Sequence, residues 1–241
     1  MDQLPYAFID NVAALHSAEF VNPFEALDSR LWSTIGETHR RERRHFILAV
    51  KNCSDGTDLS LLTRNREFPL SSVLSRNLSY VSIYGIFLLQ LNFVTSKFHH
   101  DLKSFLQNVR VRTPLKYLCS NCNTSSVLQE MECAWKLPTE ILKINTLCPK
   151  EVLAYHLFEN SYLKKILLTP AKFSFIIMIA NSWKAGEMQE IDEECDCLSG
   201  EDLIKFGFTK HQFPNTFPTY EMSSTVIRNG EARTLCFVLE Y

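Results

Sequence analysis

The pattern closest to a metal or redox site is Cys119-Ser120-Asn121-Cys122, a C-x-x-C. Two thiolates at that spacing can share a tetrahedral zinc, but a closed structural site needs a second ligand pair. Cys133 and Cys148 stand singly, and Cys195 and Cys197 are spaced as neighbours on one strand face. A thioredoxin-type role fits less well, because that motif precedes a long helix and carries a Trp-Cys-Gly-Pro flank absent here. His99-His100-Asp101 offers the ligand types of a metal-dependent hydrolase. Adjacent histidines point apart on a helix, however, and no second cluster accompanies them. Asp101, or Ser96 before it, is better employed at a helix N-terminus. Arg40-Arg41-Glu42-Arg43-Arg44 is a basic run that complements a helix C-terminus, with no interleaved aromatics to suggest nucleic acid. None of the patterns G-x-S-x-G, G-x-x-x-x-G-K, H-E-x-x-H or G-x-G-x-x-G occurs. The expectation is a protein that is not an enzyme, with no metal and no cofactor.

Composition points the same way. The chain has 241 residues, 46% hydrophobic and 22% charged, enough for a real core. A net charge of -2 gives no field for nucleic acid. Only 7 glycines leave little material for phosphate-cradling loops. The start Met1-Asp2-Gln3-Leu4-Pro5 lacks the basic and apolar parts of a secretory signal, and several of the 8 cysteines sit in apolar runs. Reduced thiols in a cytoplasmic or nuclear protein are expected. The apolar runs 80–94 and 166–180 each hold about 15 residues, short of the ~20 that cross a bilayer. No membrane association is expected.

The elements that must position these residues follow from periodicity. Phe8, Ile9, Val12 and Leu15 form one apolar stripe on a helix over 5–15, with Pro5 in its first turn. A second helix is expected over roughly 23–44, with Phe24, Leu27, Leu31 and Ile35 inward and Trp32 at the stripe's edge. A strand over 46–50, the turn signal Asn52-Cys53-Ser54-Asp55-Gly56 and a returning strand over 59–62 make a hairpin. A short helix is expected over 68–78. Strands and helices then alternate: strands at 80–84, 115–118, 142–145 and 163–167, helices at 99–109, 125–135 and 149–159.

A Leu-Lys-x-apolar step recurs at Leu115, Leu142 and Leu163, with separations of 27 and 21 residues. Both fall in the leucine-rich-repeat range of roughly 20–29. The leucines should face inward, and Lys116, Lys143 and Lys164 outward as a candidate partner surface. Beyond the repeats come an apolar helix over 171–184 stopped by Gly186 and a strand over 187–198. A cap at Ser199-Gly200-Glu201-Asp202 opens a short helix through Phe206. A loop at Pro214 and Pro218 and a terminal hairpin over 226–241 finish the chain.

Leu4-Pro5, then Phe8-Ile9, Val12 and Leu15, then Leu27, then Leu31-Trp32 resembles an F-box. The opening 4–12, the helix 175–184 with its following strand and cap, Leu203-Ile204-Lys205-Phe206-Gly207-Phe208, and the aromatic-ended strand 235–241 resemble a nematode-expanded group of F-box-like proteins. The resemblance implies a non-enzymatic substrate-recruiting adaptor of a cullin-type ubiquitin ligase. Leu4, Pro5, Phe8, Ile9, Val12, Leu15, Leu27 and Trp32 would contact a Skp-type ligase adaptor by helix-in-groove docking. The expected fold is α/β: an F-box-like helical pair over 1–45, then an irregular leucine-rich-repeat-like solenoid of strand–helix units over 46–241 that holds an unknown client. The alternative is a free-standing interaction scaffold whose N-terminal helices only cap the solenoid.

Overall fold

A computed structural model of the chain describes residues 4–15, 24, 27–53, 56–63, 66–74, 78–89, 91, 94–111, 114–120, 125–145, 148–168, 173–190, 204, 207, 209–212, 219–228 and 231–240. The N-terminal pair forms as its apolar spacing requires. Helix α1 (Tyr6–Leu15) starts just after Pro5, whose carbonyl accepts from the N–H groups of Phe8 and Ile9 at 2.9 and 3.3 Å. Helix α2 (Arg30–Glu42) begins later than the expected position 23. The cause is Ser29, which sits at the N-cap in an extended conformation and accepts from the Trp32 N–H. Ile9, Ala13, Trp32 and Ile35 close a small core between the two helices, and Phe24 meets the Trp32 ring edge-on at 5.1 Å. Trp32 is therefore buried and not at the edge of its stripe.

The rest of the chain winds around one sheet. Strands β1 (Arg44–Cys53) and β2 (Gly56–Leu62) form the expected antiparallel hairpin, and Gly56 has the positive φ of 139° that its turn requires. The segment expected as one helix over 68–78 opens instead as edge strand β3 (Glu67–Pro69), followed by the single-turn α3 (Leu70–Leu74). A proline in the ladder suits only an edge, and the Lys51–Glu67 ion pair beside it helps to blunt that edge. Then come β4 (Val81–Leu89), α4 (Ser96–Asn108), β5 (Arg110–Val111), β6 (Leu115–Ser120), α5 (Ser125–Glu130) and α6 (Glu132–Trp135). They are followed by β7 (Thr139–Ile144), α7 (Lys150–Ala154) with a π-helical turn over Tyr155–Glu159, β8 (Lys165–Leu168) and α8 (Phe173–Ala185). Strands β9 (Thr209–Gln212), β10 (Thr219–Arg228) and β11 (Glu231–Glu240) end the described chain. Thr95, not Ser96 or Asp101, caps α4, its hydroxyl accepting from the Phe98 N–H at 3.2 Å.

The strand order is β3-β2-β1-β4-β6-β7-β8-β11-β10-β9, with β5 beside β4. The six strands from β1 to β11 along this path pair in parallel, and antiparallel partners flank them at both ends. Parallel neighbours need crossovers, which is why helices alternate with strands. One register row carries Leu61, Leu48, Ile86, Leu118, Leu142 and Ile166, all fully buried. This row and residues of α4 to α8 belong to one hydrophobic core, so these helices cover a single face. Each fully buried leucine or isoleucine there contributes about 1.5–3 kcal/mol.

Two sequence expectations change in the last third. Gly186, at φ 85°, ends α8 as foreseen, but 187–190 form no strand. The remainder of that strand, the cap at 199–202, most of the short helix through Phe206, and Pro214 and Pro218 lie outside the described residues. The terminal hairpin exists and is longer than expected, since β10 begins at Thr219. Among the described residues no helix is long and apolar enough to cross a membrane.

Candidate partner-binding surface

Strands β6 and β7 pair Leu115 with Thr139, not with Leu142. The recurring unit starts at positions 115, 139 and 163, a spacing of 24 residues. Each start is buried: Leu115, Thr139 and Leu163. Two partly or fully exposed residues follow, then a second buried position: Leu118, Leu142 and Ile166. Leu142 thus occupies the fourth position of its unit, and the 27- and 21-residue separations in the sequence are one regular period misread by three residues. Thr139 hides the start because it is polar. Its hydroxyl has the Ile141 and Leu115 carbonyls as acceptors at 3.1 and 3.3 Å, which lets it be buried.

Outward positions of the same strands form a second pair of rows. One row is Ile47, Gly85, Tyr117, Ile141 and Lys165; the next is Ala49, Phe87, Cys119, Lys143 and Leu167. Ile47, Phe87, Tyr117, Ile141 and Leu167 are partly exposed, and none joins the main core. Gly85 keeps the first row flat, because a Cβ there would stand 3.2 Å from the Tyr117 carbonyl oxygen. Of the lysines expected outward, Lys143 lies in an outward row, and Lys116 and Lys164 do not join it as one series. Lys116 and Lys164 flank Glu140 at 2.8 and 3.7 Å, whereas Lys143 lies beside Cys119 in the adjacent row. Burial pushes the Cys119 thiol up, and Lys143 partly opposes this.

Two buried polar clusters escaped the sequence reading. In the first, His156 Nε2–H donates to the Trp135 carbonyl at 2.9 Å. Asn160 Nδ2 donates to His156 Nδ1 at 3.1 Å and to the Thr139 carbonyl at 2.8 Å. Asn160 Oδ1 accepts from the Tyr162 N–H at 3.0 Å. The i, i+4 spacing of His156 and Asn160 within an apolar helix was the available signal. Burial holds the His156 pKa at about 4, down from 6.5. The folded chain therefore keeps this histidine neutral while an unfolded chain would protonate it. The associated stability is complete above pH 6.5 and falls as pH drops toward about 4, by about 3 kcal/mol in all. Urea unfolding at pH 7 and pH 4.5 should show this loss, and His156→Gln should flatten that part of the profile.

The second cluster ties α1 to α2. Arg43 donates to the Ala13 carbonyl at 2.8 Å and to His39 Nδ1 at 2.7 Å. A guanidinium can only donate, so His39 Nδ1 accepts and Nε2–H donates to Asp10 Oδ1 at 2.7 Å. The His39 ring also meets Tyr80 edge-on at 5.4 Å, linking the pair to the start of β4. Arg43 of the basic run is thus a buried structural residue, while Arg40 and Arg41 are exposed.

The eight N-terminal residues expected to meet a partner divide into two sets. Leu4, Pro5 and Phe8 are exposed, with Tyr6 beside them. Ile9 and Trp32 are sealed in the pair's own core, with Val12 and Leu27 packed against it. Leu15 ends α1, and its side chain lies outside the described residues. His99 hydrogen-bonds the Glu130 carbonyl, tying α4 to α5, and Cys122 lies outside the described residues. Among the described residues no group of three or more His, Cys, Asp or Glu is placed to hold a metal ion.

The fold is mixed α/β with a large sheet. No protein-family model matches the chain, and searches of curated proteins and of solved structures found no match.

Proposed function

We propose that this chain is a non-enzymatic adaptor of the F-box type, joining a Skp-type ligase subunit at its N-terminal helical pair to a client on its sheet. One observation carries the reading. Leu4, Tyr6 and Phe8 are 40%, 52% and 50% exposed, although α1 has already buried Ile9 and Ala13 against α2. A helix that only capped the body would turn its remaining apolar side chains toward that body. Three large apolar side chains left in water within five positions instead favour a docking surface. Ile9, Val12, Leu27 and Trp32 would then hold the pair together, while Leu4, Pro5 and Phe8 touch the ligase subunit. The 24-residue spacing of the strand–helix units supports a leucine-rich-repeat-like platform as the client-binding part.

A free-standing scaffold is the competing reading. It is favoured by the His39–Tyr80 contact, which anchors the pair to the platform. Co-expression with a Skp-type adaptor separates the two. The wild-type chain should co-purify with it, and Phe8→Asp should abolish co-purification with unchanged circular dichroism. Co-purification that survives Phe8→Asp, or is absent in the wild type, leaves the scaffold.

A further inference from the structure

We infer that Asp10, His39 and Arg43 form a polar latch that fixes the roll of α1 and so keeps Phe8 turned outward for a partner. The inference rests on the adaptor reading for its purpose and deepens it, by naming the positioning residues of the docking surface. The observation is a mismatch between the apolar stripe of α1 and the face it buries. At about 100° per residue, with Phe8 as the origin, Val12 falls at about 40°, Ile9 at about 100°, Ala13 at about 140° and Asp10 at about 200°. The large apolar side chains Phe8, Val12 and Ile9 are thus centred at about 50°. The sealed face is centred instead at about 120°, because Ile9 and Ala13 are fully buried, Val12 is only partly buried and Phe8 is 50% exposed. Helix α1 is therefore rolled by roughly 70° from the position that would bury its own stripe. Burying Phe8 in place of Ala13 would remove more apolar area from water, so apolar burial by α1 does not account for the roll.

The polar contacts lie on the flank that does account for it. His39 Nε2–H donates to Asp10 Oδ1 at 2.7 Å, and Arg43 donates to the Ala13 carbonyl at 2.8 Å. Asp10 and Ala13 stand about 160° and about 140° around the helix from Phe8. Both would turn away from α2 if α1 rolled Phe8 inward. The donors are themselves fixed. His39 and Arg43 are 1% and 6% exposed, Arg43 donates to His39 Nδ1 at 2.7 Å, and the His39 ring meets Tyr80 edge-on at 5.4 Å. By occupying Nδ1 as a donor, Arg43 leaves the imidazole proton on Nε2, where Asp10 accepts it. Rolling α1 inward would break both bonds at buried donors, one of them to a carboxylate and the other from a guanidinium. Charge-assisted bonds of this kind are stronger than neutral ones, and losing them at buried groups is costly. The latch thus opposes the burial of Phe8 that the apolar stripe favours.

The test is hydroxyl-radical footprinting of the full-length chain, with oxidation read at Phe8 by mass spectrometry. Asp10 is partly exposed and alanine is a better helix former, so Asp10→Ala removes the latch without weakening α1 as a helix. In Asp10→Ala the Phe8 ring should turn inward and its oxidation slow several-fold, while hydrogen exchange shows the α1 amides still protected. Melting of α1 would do the opposite and speed the oxidation. Asp10→Asn keeps an Oδ1 acceptor for His39 and should restore the wild-type rate. Affinity for a purified Skp-type adaptor should fall at least tenfold in Asp10→Ala and recover in Asp10→Asn. Unchanged or faster oxidation of Phe8 in Asp10→Ala, loss of α1 amide protection there, or failure of Asp10→Asn to restore the rate would each overturn the inference. If the wild-type chain binds no Skp-type adaptor, the ligase reading falls and the footprint alone decides the latch.

Discussion

Trp183→Ala should lower the stability of the folded chain by about 3–5 kcal/mol. Trp183 is fully buried on α8, whose residues 174–180 are all buried as well. Truncation would leave a large cavity where a helix with almost no exposed face cannot easily collapse. It would also release Arg233 of β11, whose guanidinium lies 5.1 Å from the indole centroid and donates to the Asn160 carbonyl at 2.6 Å. One substitution therefore disturbs the crossover helix, the last parallel strand and the Asn160 cluster together. Domains are stable by only about 5–15 kcal/mol, so the loss is a large fraction of the total. Urea unfolding followed by circular dichroism should show the midpoint falling by about 1–2 M. Trp183→Phe, which keeps a ring beneath Arg233, should cost distinctly less. A midpoint unchanged by Trp183→Ala would mean that α8 is not packed as described.

Ile9→Asp should melt the N-terminal pair and leave the sheet folded. Ile9 is fully buried at the centre of a small cluster with Ala13, Trp32 and Ile35, separate from the main core. An unpaired carboxylate in that position costs several kcal/mol, more than so small a cluster can retain. The Arg43 bond to the Ala13 carbonyl and the His39 bond to Asp10 tether α1 but cannot replace the lost packing. Hydrogen exchange should show the amides of α1 and the first turns of α2 losing protection, while β4, β6, β7 and β8 keep theirs. Cooperative loss across the sheet would instead make the pair an integral part of the platform, as a cap requires.

How much of this the sequence disclosed depended on whether the chemistry was local. The β1–β2 hairpin was legible because Asp55-Gly56 is a turn signal between two apolar runs, and α1 because Pro5 and a single apolar stripe bound it. The repeat was legible as a kind of unit but not in its register. Thr139 takes a position occupied by leucine in the neighbouring units, and the Leu115 and Ile141 carbonyls within reach of its hydroxyl explain why burial tolerates it. Of the strand expected over 187–198, the described residues 187–190 are not strand, and the Gln189 N–H donates to the Ser182 hydroxyl at 2.9 Å instead of to a neighbouring strand. On the N-terminal pair, one stripe named both Phe8 and Ile9 as contact residues. A helix turns adjacent positions about 100° apart, so only packing against α2 decides which is sealed. Arg43, His156 and Asn160 gained their roles only once the fold brought distant carbonyls beside them, and His39 once it brought Asp10.

The adaptor account is most directly tested by calorimetric titration of the full chain with a purified Skp-type adaptor, comparing wild type with Phe8→Asp. The exposed Leu4, Tyr6 and Phe8 predict measurable binding by the wild type and at least a tenfold loss in the variant, equal to about 1.4 kcal/mol. Absence of wild-type binding, or equal affinities for the two proteins, would contradict it.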